Sequence, residues 1–92
     1  MIHPDKKINS IEKALAILTS FTPYNQEMGN LEISQKLGLH KATVSRILQD
    51  LVKHGFLLRN SQTKKFLLGP SVMDLARAAK QSFKTNLVHI AI

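Results

Sequence analysis

The chain has 92 residues and a net charge of +7, which makes it one small basic domain that buries roughly 60–65% of the surface its unfolded chain exposes, too little for a large substrate chamber. It has no cysteine, which excludes a disulfide framework and a thiolate metal site, and the histidines at 3, 40, 54 and 89 never take the i, i+4 spacing of a helical ligand pair. Lys6 and Lys7 precede apolar residues, but Asn9, Ser10, Glu12 and Lys13 break the run, so neither a signal peptide nor a membrane span is expected, and the protein reads as cytoplasmic.

Residues up to about Lys7 read as a flexible arm. A first helix is expected over residues 10–20. Asn9 followed three positions later by Glu12 has the pattern of a capping box, and Ile8, Ile11, Ala14, Leu15, Ile17 and Leu18 recur at helical spacing. Pro23 bars its continuation. The connection over residues 22–28 is polar and without pattern. Gly29 or Asn30 then caps a second helix ending near Leu37, with Ile33 and Leu37 buried together, and Gly38 supplies the left-handed residue that ends it.

The third helix is expected from Lys41 to His54, closed by Gly55. At 100° per residue, Val44, Ile47, Leu48 and Leu51 share one face and should meet Ile33 and Leu37 across the Gly38 turn. Ala42, Arg46, Gln49 and Lys53 point the other way, with Thr43 and Ser45 on the flanks. This outer face suits a major groove: a guanidinium for guanine, an amide for adenine, hydroxyls that adapt to either, and the Ala42 methyl for a thymine methyl. The candidate base readers are therefore Ala42, Thr43, Ser45, Arg46 and Gln49.

After Gly55 the period becomes extended. Residues 56–59 and 65–68, separated by a polar loop, predict a hairpin, and a hairpin beside a recognition helix is a wing. Between Lys36 and Lys65 seven cations face the single acid Asp50, so this segment carries most of the net charge. Lys41, Lys53, Arg59, Lys64 and Lys65 are the candidate phosphate contacts. Gly69 and Pro70 open a fourth helix with an apolar stripe of Val72, Leu75, Ala76, Ala79 and Phe83 that is expected to face inward. The expected fold is mainly α with a small β-hairpin: a winged helix-turn-helix with a three-helix core, a two-stranded wing and a C-terminal helix.

Four segments carry a further likeness: Ser10-Ile11-Glu12-Lys13-Ala14-Leu15-Ala16-Ile17-Leu18; Leu37-Gly38-Leu39-His40-Lys41-Ala42-Thr43-Val44-Ser45-Arg46-Ile47-Leu48; Gly55-Phe56-Leu57; and Phe66-Leu67-Leu68-Gly69-Pro70. Together they resemble the N-terminal DNA-binding domain of the IclR family of bacterial transcriptional regulators, in order from about position 8 to 85. The resemblance implies a domain that pairs with a second copy, binds double-stranded DNA at a pseudo-palindromic operator, and precedes a larger C-terminal domain sensing a small molecule. The expected layout is a DNA-binding domain over residues 8–69, then a linker helix and the start of a sensing domain over residues 70–92, the rest of that domain lying beyond this sequence. His40 stands where the family usually has proline, Ala42 where serine is common, and Lys64 where the wing often has glycine. The first two lie at the start of the recognition helix, so an operator sequence does not carry over.

A homodimer also has support in the residues, because the first helix is apolar on more than one face, with Ile11, Ala14, Leu15, Ile17, Leu18 and Phe21, and the fourth offers Met73 and Ala76 beside its stripe. One recognition helix reads too few base pairs to select a genomic site. The alternative is a winged-helix scaffold for protein partners, which the basic outer face of the third helix disfavours. RNA reading would need exposed aromatics, whereas Phe21, Phe56, Phe66 and Phe83 occupy positions expected to be buried. No nucleophile, carboxylate pair or phosphate loop points to an enzyme, and no cofactor is expected.

Overall fold

The computed structural model of the chain describes residues 9–86; the expected N-terminal arm and the beginning of the sensing domain after residue 86 lie outside the described residues. Helix α1 (Ser10–Thr19) starts where Glu12 N–H donates to Asn9 Oδ1 at 2.8 Å and Asn9 N–H donates to Glu12 Oε1 at 3.0 Å. Both bonds satisfy amides that a helix start would otherwise leave open, so the expected capping box is present. Helix α2 (Asn30–Leu37) follows the N-cap Gly29, whose N–H donates to Glu32 Oε1 at 3.3 Å. Gly38 then takes φ 66° and admits the turn into α3 (Lys41–Lys53). His40 holds φ −66°, the value a proline ring would impose.

Gly55, at φ 79°, ends the third helical segment and releases the chain into β1 (Leu57–Arg59), which pairs antiparallel with β2 (Phe66–Leu68) in the register Leu57 with Leu68 and Arg59 with Phe66. Helix α4 (Pro70–Asn86) follows, with Pro70 in the first helical position. Element boundaries agree with the sequence reading to within one residue at nearly every end.

The core forms where α1, α2 and α3 meet the base of the hairpin. Ile17, Ile33, Val44, Leu48 and Leu57 are fully buried there, with Ile47 and Phe66 nearly so and Leu37 and Leu51 half-buried against them. Ile33, Val44 and Ile47 thus share one core cluster against which Leu37 packs, on either side of the Gly38 turn.

Three expectations need correction. The connection over residues 22–28 is not featureless, because Met28 is fully buried and its backbone pairs with Phe66 in both directions, at 3.0 and 2.8 Å. It therefore works as a one-residue third strand on the edge of β2. The apolar stripe of α4 does not face a core made by the described residues, since Val72 is half-buried while Leu75, Ala76 and Ala79 are exposed. Of the aromatics expected to be buried, Phe21 and Phe66 are, Phe56 is half-buried, and Phe83 on α4 is 44% exposed.

Helix α4 is joined to the rest mainly at its root. Gly69 N–H donates to Phe56 O, Ser71 N–H to Gly55 O and Ser71 Oγ to His54 O, each at 2.9 Å. A Cβ at Gly69 would stand 2.4 Å from Gly55 O, so the crossing requires glycine there.

Candidate nucleic-acid interface

Helix α3 is strongly two-sided. Val44, Ile47 and Leu48 are buried, while Lys41, Ala42, Arg46, Gln49 and Lys53 are exposed and Thr43 and Ser45 are half-buried on its flanks. No side chain caps its first turn, so the amides there keep their partial positive charge for an outside acceptor.

The wing extends this surface. Arg59 and Phe66 are paired across the hairpin, and the Arg59 guanidinium lies 5.8 Å from the centre of the Phe66 ring, a cation–π arrangement that orients the cation. The wing loop is closed by its own backbone, with Asn60 N–H donating to Lys65 O at 2.8 Å and Lys64 N–H to Asn60 O at 2.7 Å. Asn60 Oδ1 accepts from the N–H groups of Gln62 and Thr63 at 2.9 and 3.2 Å.

Between α3 and the wing lies an open cleft of about 290 Å³ lined by Asn30, Ser45, Gln49, Val52, Arg59, Lys64 and Phe66. It brings Ser45 and Gln49, expected base readers, together with Arg59 and Lys64, expected phosphate contacts. Lys41, Ala42, Thr43, Arg46 and Lys53 sit elsewhere on α3, and Lys65 stands exposed on the wing. Among the described residues none of these cations is held in an ion pair; the one pair found there, Arg77 with Asp74 at 2.7 Å, is on α4. The outward cations therefore have no neutralising acid among the described residues.

Sequence reading missed two residues of this region. Asn30 lines the cleft from the start of α2, its Oδ1 accepting from Ser34 Oγ at 3.0 Å. Glu27 reaches the wing from the connection before α2. The pattern of a single helix or hairpin carries no sign of either, because each meets its neighbours through the tertiary fold.

Lys64 takes φ 66°, and among the described residues it alone has a positive φ without being glycine. Such a conformation costs an L-residue about 1–2 kcal/mol. Lys64→Gly is therefore expected to hold or raise the melting midpoint, and Lys64→Val to lower it, by thermal denaturation followed by circular dichroism.

A two-sided helix with an uncapped start, following a glycine turn and flanked by a cationic wing, defines the class of winged helix-turn-helix DNA-binding domains. The IclR helix-turn-helix domain matches over residues 10–61. The chain belongs to the IclR family of transcriptional regulators and carries that family's DNA-binding domain. It is 34% identical over 84 residues to the HTH-type transcriptional regulator TsaQ1/TsaQ2 of Comamonas testosteroni, covering 91% of this chain and 29% of that protein. It is likewise 34% identical over 67 residues to the HTH-type transcriptional regulator XynR of Escherichia coli, covering 73% of this chain and 27% of that one. The crystal structure of an IclR family transcriptional regulator from Brucella abortus superposes with a TM-score of 0.73 at 32% identity, over 82% of this chain and 29% of that one. The chain thus spans less than a third of the relatives' length, and those relatives are regulators rather than enzymes. Among the described residues no helix is long and apolar enough to cross a membrane.

Proposed function

We propose that this chain selects a double-stranded DNA site for a cytoplasmic transcriptional regulator, by binding rather than catalysis, with α3 in the major groove and the wing on the adjoining backbone or minor groove. The observation that carries this reading is the cleft in which Ser45 and Gln49 of α3 meet Arg59 and Lys64 of the wing. A duplex lying across it meets base-reading and phosphate-binding groups at once. Ala42, Thr43, Ser45, Arg46 and Gln49 read base edges; Lys41, Lys53, Arg59, Lys64 and Lys65 hold phosphates.

The working unit is a homodimer on a pseudo-palindromic operator. Ile11, 71% exposed, and Leu15, 56% exposed, on α1, with Met73 and Leu75 on α4, each 58% exposed, supply apolar surface that the described residues leave uncovered. In a protein of the relatives' length, α4 serves as the linker to a domain that senses a small-molecule effector.

Selection from a randomised duplex pool tests both parts of the proposal. The wild-type chain should enrich two inverted half-sites at a fixed spacing, and Arg46→Ala should lose preference at one position per half-site, about 1–3 kcal/mol of discrimination each. Enrichment of single half-sites would refute the dimer. An unchanged preference for Arg46→Ala would remove that residue from the base readers.

A further inference from the structure

We propose that Glu27 is a positioning residue for the wing: its carboxylate fixes the loop that presents Lys64 and Lys65 to phosphate. This rests on the reading of the wing as a phosphate contact. Glu27 Oε2 accepts from Asn60 Nδ2 at 3.1 Å, and Glu27 Oε1 accepts from Thr63 Oγ1 at 3.3 Å. Both partners are structural centres of the loop. Asn60 Oδ1 holds the Gln62 and Thr63 amides, and Thr63 Oγ1 accepts from Lys65 N–H at 3.3 Å. One carboxylate therefore ties down the two side chains that organise the turn.

The tether comes from outside the hairpin. Its partners lie 33 and 36 positions away in the chain, and the adjacent residue Met28 is locked into the core through its pairing with Phe66. Glu27 thus transfers the rigidity of that bridge to the tip of the wing. The strands are three residues each, and a hairpin so short is marginal without outside support. The left-handed conformation at Lys64 adds to what must be held.

An acid near a DNA-facing surface repels phosphate, so electrostatics alone predicts that its removal strengthens binding. Positioning predicts the opposite, and the sign separates the two. Glu27→Gln distinguishes charge from geometry, because Gln Oε1 can accept from Asn60 Nδ2 while its Nε2 donates to the Thr63 hydroxyl, which is both donor and acceptor.

The test is a fluorescence-anisotropy titration of random-sequence duplex across a salt series, paired with amide hydrogen exchange. Lys64→Ala serves as the control and should reduce the salt slope by about 0.9; an unchanged slope would refute the phosphate-contacting wing itself. With that control in place, Glu27→Ala should bind about three- to tenfold more weakly, the size of one or two lost hydrogen bonds, and should lose exchange protection at residues 62–65 while α3 keeps its own. Glu27→Gln should bind at least as tightly as the wild type. Binding by Glu27→Ala as tight as wild type, wing amides that remain protected, a loss of protection spread equally over α3, or a Gln variant no better than the Ala variant would each overturn the assignment.

Discussion

Ile47→Ala is expected to destabilise the chain by about 2–4 kcal/mol, the usual cost of removing a buried branched side chain together with the cavity left behind. Ile47 is only 9% exposed and belongs to the cluster that α2, α3 and the hairpin base share with α1. Two short helices meeting at a turn have few contacts to spare, and the surrounding Ile33, Val44 and Leu48 are themselves fully buried, so collapse into the cavity is restricted. For a domain of this size each kcal/mol lowers the midpoint by about 4–8 °C. A urea titration should show the lost stability as a lower midpoint at an unchanged slope. An unfolding free energy within a few tenths of a kcal/mol of wild type would mean that Ile47 contributes little to the core.

Gly69→Ala should come next, with an expected loss of about 1–3 kcal/mol from overpacking. The added methyl would lie 2.4 Å from Gly55 O and 3.1 Å from Gly55 C and Leu57 C, all of them backbone atoms that no rotamer change can move aside. Gly38 provides the contrast, because a Cβ there meets nothing within 4 Å and the strain would come from φ 66° alone. Thermal melts of the two alanine variants should rank Gly69→Ala as the less stable. The reverse order would show that the Gly55–Gly69 crossing relaxes easily.

Local chemistry made the helices legible. The Asn9–Glu12 exchange, the left-handed glycines at 38 and 55, and Pro70 at the head of α4 each act within a few residues, so the sequence displays them directly. The outer face of α3 was legible for the same reason, since helical geometry alone decides which side chains share it. Met28 was not. Its bridge to Phe66 engages one residue, too short for any alternation to appear, and its partner lies far along the chain. Glu27 and Asn30 escaped on the same ground. The α4 stripe shows the converse limit, because periodicity identifies an amphipathic helix without identifying what covers it, and here the other described residues do not.

The fastening of α4 has a mechanical side. Its seventeen residues make an arm about 25 Å long, gripped at one end by bonds to the carbonyls of His54, Gly55 and Phe56. Two of those three bonds are made by backbone amides, and the third uses only the short hydroxyl of Ser71, so the grip has little slack. A sideways load at the far end of the arm would arrive at its root as torque. The carbonyls that receive it belong to the residues on which α3 ends and from which the wing departs, so tilting the arm would turn both DNA-facing elements together.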